Sequence, residues 1–454
     1  MGSENLDLRH FHYELPEELI AQVPAEPRDS SRLMVLRPSE KAEIIVFSEI
    51  IKYFRKGDVL VFNDTRVIPA RIYAKKAGTG GRVEILLLED RHAGSRYVWK
   101  CLVSGKKIRA GLKLELLENK HTDEPAENEL SPDIEQVENS AGTREGGIND
   151  VASCREELNI DKKKRIFATI VKEHGEGLYD VEFEVVEPLA TDAPAPATNE
   201  QLFRYGSAPL PPYIRKLSDL SRYQTVYARK EGSSAAPTAG LHFTGRLFTE
   251  LDKKGVETVF ITLHIGTGTF LPVRSNDVRL HKMHSEYFSI DEAAAKKIER
   301  AVAEGRRIFV VGTTTLRALE SAMRASENGK VLPAPDDYKI KDDSIALDHA
   351  FFSGYLLRSE DIDKVKSDPP AGKKLSSFKF RTLSGWTEIF ITPGFDFRFP
   401  LSGLITNFHL PDSTLILLVS ALAGRKTILG AYNLAIKERM RFYSYGDAML
   451  ILAE

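Results

Sequence analysis

The chain predicts an α/β fold with a mainly parallel sheet, to which a second, all-strand region is added. Three observations carry this. From about residue 208 onward, helix-like and strand-like segments alternate, the pattern of a mainly parallel sheet. Between Arg66 and about Glu187 short strands follow one another with no helix between them, which suggests a small barrel or sandwich. The length of 454 residues, 42% of them hydrophobic and 28% charged, suits two domains, three at most.

Pro16 to Gln22 opens a short helix on a proline. Leu33 to Leu36 and Asp58 to Phe62 are strands, and Asn63-Asp64-Thr65-Arg66 stands at the end of the second. The strand-only region runs through Ala70–Tyr73, Val83–Leu88, Tyr97–Val103, Ile166–Val171 and Val181–Val186. It is interrupted by Asn119 to Ile160, which holds no aromatic residue and reads as a solvated, mostly disordered insertion. After the proline-rich 208–213 segment comes a capped amphipathic helix, Phe243 to Gly255, and then a strand, Val256 to Leu263. The grammar repeats as helix Asp291–Glu304, strand Arg307–Val311, turn Gly312–Thr315 and helix Leu316–Ala325. Ser326 to about Leu383 is a second insertion, apolar at its centre. Leu404 to Phe408 is a strand, Pro411 stops it, Asp412 or Ser413 caps the apolar helix that follows, and Gly424 closes that helix.

The formal net charge of −2 argues against a generally basic nucleic-acid coat. It hides an asymmetry: residues 119–160 hold eleven acidic and three basic residues, a balance of −8, so the remainder carries +6. That is enough for a local patch that meets phosphates. Two cysteines are too few for a disulfide framework or a cysteine-based zinc site and fit a reducing cytoplasm. No apolar run reaches the ~18 residues a membrane span needs, and the first residues carry neither a basic nor an apolar signal region. A cytoplasmic protein with no membrane partner is expected.

Four polar clusters follow apolar strands in the α/β region, where such folds gather ligands. Ser233 to Phe243, containing Thr238, Gly240 and His242, is a run of small residues that lets a ligand approach bare backbone N–H groups, or equally a tight helix-entry loop. His264-Ile265-Gly266-Thr267-Gly268 follows a strand, yet Phe270-Leu271-Pro272 stands where a dinucleotide fingerprint needs a helix. His281-x-x-His284-x-Glu286 can be written as three metal ligands, but no matching pair accompanies it, and acid/base or hydroxyl contacts suit it better. Gly312-Thr313-Thr314-Thr315 with Arg317 offers hydroxyls and N–H groups at a helix start. His409 and Asn407, beside the last apolar helix, form a further polar spot at a helix N-terminus. Neither a Gly-x-Ser-x-Gly elbow nor a phosphate-binding P-loop is present.

Taken together these segments resemble the S-adenosylmethionine:tRNA ribosyltransferase-isomerases of queuosine biosynthesis. The resemblance rests on Asp58–Arg71, Gly81–Leu86, Leu210–Ile214, Tyr223–Ala228, Ala235–Phe243, His264–Phe270, His281–Glu286, Gly312–Glu320, Thr406–Thr414 and Arg441–Met449, in the family's order. It implies an α/β domain built from residues 1–65 and 208–454 with a β-barrel-like domain, 66–207, inserted between them. It also implies the reaction. The ribosyl part of S-adenosylmethionine, a substrate and not a cofactor, passes to 7-aminomethyl-7-deazaguanine at the tRNA wobble position and is isomerised to an epoxycyclopentanediol. Adenine and methionine leave.

Such chemistry removes a C5′ proton, protonates adenine and needs a neutral amine, so several titratable groups are required. The matching positions are His242, His264, His281, His284, Glu286, His409 and Asp447. Asp64, Arg66, Thr238, Gly240, Gly266, Gly268, Thr313, Thr314, Arg317 and Asn407 are candidate substrate contacts. Arg215, Lys216, Arg222, Tyr223, Arg229, Arg439 and Arg441 interleave cations with rings, the surface that reads a single-stranded loop. A monomer is expected, with no metal. The rival readings are a methyltransferase, which would release S-adenosylhomocysteine, and a non-catalytic RNA-binding protein.

Overall fold

The computed structural model describes residues 7–38, 40–91, 96–118, 165–186, 195–216, 219–266, 278, 281, 283–328, 356–357 and 383–453. The expected acidic insertion, Gly268 and most of the second insertion lie outside these. The strands are, in order, β1 (Arg32–Leu36), β2 (Glu43–Val46), β3 (Val59–Asn63), β4 (Thr65–Val67), β5 (Arg71–Lys76), β6 (Arg82–Asp90), β7 (Val98–Ser104), β8 (Lys113–Leu116), β9 (Arg165–Gly175) and β10 (Leu178–Val186). They continue with β11 (Ala195–Pro196), β12 (Gly206–Ser207), β13 (Lys230–Ser233), β14 (Glu257–Leu263), β15 (Glu286–Ile290), β16 (Ile308–Val311), β17 (Leu356–Leu357), β18 (Leu383–Thr387), β19 (Gly403–Asn407) and β20 (Ala448–Leu452). The helices are α1 (Asn199–Phe203), α2 (Gly245–Lys253), α3 (Glu292–Ala303), α4 (Thr313–Asn328), α5 (Thr414–Ala423) and α6 (Arg425–Lys437).

The chain divides into two compact units, Met1–Ala70 with Ala208–Glu454, and Arg71–Ser207. The first boundary falls at Ala70 rather than residue 65 because β4 pairs with β13, within the first unit. That unit holds a ten-stranded sheet in the order β17-β18-β15-β14-β3-β16-β19-β20-β1-β2. Strands β14, β3, β16 and β19 at its centre are parallel. The sheet as a whole is mixed, where a mainly parallel one was expected. β15 pairs antiparallel with β14. Between β19 and β20 lie two helices, α5 and α6, bent by 114° at their junction, so the chain re-enters the sheet reversed.

Alternation along β3 sorts its residues to two cores. Val59 and Val61 pack with Ala294, Ile298, Leu316, Leu319 and Ile416 on the face covered by α3, α4 and α5. Leu60 and Phe62 pack with Phe47, Phe243, Leu247 and Leu251 on the face covered by α2. Helix α4 begins three residues earlier than expected, since Gly312 at φ +93° makes the turn out of β16 that few other residues adopt. Helix α6 gave no sequence signal because it starts directly after Gly424 with no capping side chain.

In the second unit β10, β7, β6, β5, β8 and β9 pair in succession, and β9 pairs again with β10. Every second residue of β7 and β10 is buried. Their inward side chains include Cys101, Val103, Val181 and Phe183, and burial holds the Cys101 thiol well above its usual pKa.

Candidate active site

Beyond the C-terminal ends of β16 and β19 lies a cleft enclosing about 550 Å³, open solvent at its mouth included. This is where an open α/β sheet places ligands. Ala236 to Ala239, Ile265, Gly312 to Thr314, Thr406 to Leu410, Leu415, Tyr213, Tyr443 and Ser444 line it. Of the expected site residues, Thr238, Thr313, Thr314, Asn407 and His409 are therefore brought together. The first hydrogen bond of the α4 entry runs from the Leu316 N–H to the Gly312 carbonyl, so the N–H groups of Thr313 to Thr315 have no intrahelical acceptor. A helix start of this kind suits an anionic group.

His409 is fixed from three sides. Its N–H donates to the Tyr432 hydroxyl at 2.9 Å, its carbonyl accepts from the Tyr13 hydroxyl, and its Nε2 lies 3.0 Å from the Thr406 hydroxyl. Burial lowers its pKa to about 3, so the ring is neutral near pH 7. Asn407 Nδ2 donates to the Tyr443 carbonyl at 3.1 Å and faces His242 Nε2 at 3.2 Å, while its Oδ1 is buried without a partner. His242 is stacked on Phe47 and its Nδ1 lies 2.7 Å from the Ser31 hydroxyl. Burial lowers its pKa to about 4; Asp447 pulls it up, and Arg441 and Arg28 push it further down.

Gly240 does not present bare backbone to a ligand. A Cβ there would sit 1.9 Å from the Tyr227 hydroxyl, so the absent side chain makes room for that ring.

A second polar cluster forms at the ends of β3 and β14, and its side chains are spent on one another. Asp64 Oδ1 accepts from the Thr262 hydroxyl at 2.7 Å, and Oδ2 accepts from Arg229 at 3.0 Å. Asn63 bridges the strands by accepting from the Thr65 and Leu263 N–H groups and donating to the Leu263 carbonyl. His264 Nδ1 lies 2.8 Å from the Thr65 hydroxyl, its ring rests on Gly232, and burial lowers its pKa to about 4. Arg66 is exposed and lies 3.6 Å from Glu231.

Glu286 and Arg317, each 3% exposed, form a buried ion pair, and Glu286 Oε1 accepts the Gly266 N–H at 3.1 Å. Glu286 is thereby engaged away from a His281/His284 ligand set, and no three His, Cys, Asp or Glu among the described residues could hold a metal ion. His281 packs on Phe390, with its pKa lowered by burial and then by His284. His284 is exposed. Asp447 accepts the Arg32 and Arg441 N–H groups at 2.9 and 2.8 Å and ties the last loop to β1.

Arg215, Lys216, Arg222 and Arg439 reach solvent, with Arg215 2.5 Å from Glu17 and Arg222 2.6 Å from Glu26. Arg229 is held by Asp64 over the Phe260 ring, and Arg441 lies beside Asp447. Tyr223 corrects the expectation of an RNA-stacking ring. It is fully buried edge-on to Tyr445, because the Leu210, Ile214 and Leu241 cluster closes over it. Residues that the sequence did not single out as site residues are Thr406, Tyr213, Tyr443 and Ser444, which line the cleft, and Ser31, which holds His242. Tyr213 and Tyr443 pack at 4.8 Å, and the Tyr213 hydroxyl lies 2.8 Å from that of Ser444. Tyr213, Thr406, Tyr443 and Ser444 lie within the runs that carry the family resemblance, which gave them no site role.

A family model described as "Queuosine biosynthesis protein" matches residues 8–451. A curated relative from Clostridioides difficile (strain 630), named S-adenosylmethionine:tRNA ribosyltransferase-isomerase, is 40% identical over 446 residues, covering 98% of this chain and 99% of its own. One of the same name from Desulforamulus reducens is 38% identical over 450 residues, covering 98% and 100%. A solved S-adenosylmethionine tRNA ribosyltransferase from Thermotoga maritima is 29% identical, with 98% and 100% covered and a TM-score of 0.42. By the extent of the family match and these full-length relatives, the chain belongs to the queuosine biosynthesis protein family.

Proposed function

We propose that this protein is an S-adenosylmethionine:tRNA ribosyltransferase-isomerase acting in queuosine biosynthesis. The observation that carries the reading is the full-length similarity, at 38–40% identity, to relatives bearing that name. The cleft supports it with hydroxyls, an amide, a neutral imidazole and a helix start around an apolar floor. Binding a sulfonium nucleoside calls for such a mixture of mostly apolar lining and a few placed polar groups.

In this reading the methionyl carboxylate meets the N–H groups of the first turn of α4 and the hydroxyls of Thr313 and Thr314. Thr238 and Asn407 take the ribose. The sulfonium acidifies the C5′ hydrogens, and His409, neutral at working pH, stands as the acceptor for one of them. Its low basicity is a consequence of burial, and negative charge developing on the substrate beside it would raise it. The C5′ electron pair becomes a C4′=C5′ bond as C4′–O4′ breaks, and O4′ becomes the C1′ carbonyl as protonated adenine leaves. The amine of 7-aminomethyl-7-deazaguanine adds at C4′ and loses a proton, and the regenerated C5′ carbanion closes on C1′, whose oxygen displaces methionine from C5′ to form the epoxide. His242 and Asp447 support the cleft wall; Glu286 with Arg317 and His264 with Asp64 hold the β14 end. His281 and His284, away from the cleft lining, carry no step.

Arg215, Lys216, Arg222, Arg439 and Arg441 are the proposed phosphate contacts, the first two following Tyr213 at the cleft. The unit Arg71–Ser207 is proposed as a β-barrel-like domain inserted into the catalytic chain, and the protein as a cytoplasmic monomer. No single helix among the described residues is long and apolar enough to cross a membrane.

The test is incubation with S-adenosylmethionine and tRNA carrying the aminomethyl-deazaguanine base, followed by mass spectrometry of small molecules and digested nucleosides. Adenine, methionine and the epoxycyclopentanediol-bearing nucleoside are expected. S-adenosylhomocysteine, or unchanged substrate with bound tRNA, would overturn the reading.

A further inference from the structure

The Asn407 side chain has a fixed orientation. A backbone carbonyl can only accept, so the atom facing the Tyr443 carbonyl at 3.1 Å is Nδ2, which leaves Oδ1 on the other side. Nδ2 also faces His242 Nε2 at 3.2 Å, so that ring nitrogen must be the acceptor. The His242 proton is then on Nδ1, donated to the Ser31 hydroxyl at 2.7 Å. Asn407 is 4% exposed, and its Oδ1 is buried with no partner in a residue that lines the cleft. An unpaired buried acceptor is costly unless something pairs with it.

We propose that His242 is a positioning residue: Ser31 and His242 lock the Asn407 amide so that Oδ1 meets an O–H or N–H donor of the bound sulfonium substrate. This rests on the function proposed above and takes His242 out of the proton-transfer steps. A ring serving as acid or base would have to release one of the two contacts that fix it. Burial, with Phe47 covering one face, disfavours the charged ring; Asp447 favours it, and Arg441 and Arg28 oppose it.

Two readouts on the full-length protein test this. Nitrogen-15 NMR of the histidine rings should show His242 as the Nδ1–H tautomer, uncharged down to pH 5. An Nε2–H tautomer, or titration near the ordinary value of about 6.5, would overturn the proposal. Calorimetric titration with S-adenosylmethionine, without tRNA, should show about tenfold weaker binding for His242→Phe, the size of one lost hydrogen bond. His242→Gln, whose side-chain oxygen can accept from Nδ2, should return to within about threefold of wild type. Wild-type affinity in a folded His242→Phe protein, or equal loss in both variants, would also overturn it. Failure of the wild-type protein itself to bind S-adenosylmethionine would count against the proposed function, while the tautomer measurement would still decide the geometry of His242.

Discussion

Two polar clusters end adjacent strands of the same sheet, and they differ in whether their hydrogen bonds close. At the ends of β3 and β14, Asn63, Asp64, Thr65, Thr262, His264 and Arg229 are paired with one another or with local backbone. At the ends of β16 and β19, the α4 N-terminus lacks intrahelical acceptors and Asn407 Oδ1 has no partner. Apart from the exposed Arg229, both clusters are largely buried and built of similar residues. The closed one stabilises the fold, whereas the open one has capacity left for a ligand, because a buried polar group already paired gains little from a new partner.

The largest expected effect is on turnover. Asn407→Ala and His409→Ala should each lower kcat/KM per folded molecule by about 100-fold, near 2.7 kcal/mol of transition-state stabilisation. Turnover within a few-fold of wild type in both would erase the distinction between the clusters. In the closed cluster, Asn63→Ala leaves the Leu263 and Thr65 N–H groups without their acceptor. It should cost about 2–4 kcal/mol in denaturant unfolding while kcat/KM per folded molecule holds.

Acidity sharpens the comparison less selectively. His242, His264 and His409 have folded pKa values of about 4, 4 and 3, below the ordinary 6.5. Their stabilising contribution is fully present above pH 6.5 and is lost as pH falls toward those folded values, since the unfolded chain then takes up protons that the native state refuses. Glu320, raised to about 7 by burial, acts with the opposite sign between 4.5 and 7. Three histidines against one carboxyl leave a net gain in stability of at most about 2.7 kcal/mol per pH unit between pH 4.5 and 6.5. Urea midpoints across that window measure it; a flat profile would mean the rings are not buried in neutral form.

The smallest effects belong to the surface. Arg215→Ala with Lys216→Ala should weaken tRNA binding several-fold and flatten its salt dependence by about two counterions. An unchanged salt slope would remove these residues from the interface. His284→Ala, on an exposed residue away from the cleft lining, should change turnover less than about twofold.

Much of the central sheet was legible because its signals are local. The apolar run of β3, the capped α3 and the strand-turn-helix around Asn407 and His409 each declare themselves within a dozen residues. The mixed strand order was not legible, since it depends on a two-helix return through α6, whose start carries no side-chain cap. The status of the polar clusters was also hidden. Asn63-Asp64-Thr65 and Thr406-Asn407-Phe408-His409 follow the same grammar, and only contacts 200 residues away, from Asn63 to Leu263, show that the first is closed. Ser31, His242 and Asn407 meet across separations of 211 and 165 residues. Tyr223 read as a surface ring because a tyrosine beside arginine looks the same whether it faces water or a small core.

The central claim is that the open cluster, and not the closed one, receives S-adenosylmethionine. Calorimetric titration of S-adenosylmethionine into Asn407→Ala and Asn63→Ala, side by side with wild type, tests it most directly. The account predicts at least about tenfold weaker binding for the first and near wild-type binding for the folded fraction of the second. Weaker binding in Asn63→Ala with Asn407→Ala unaffected would contradict it.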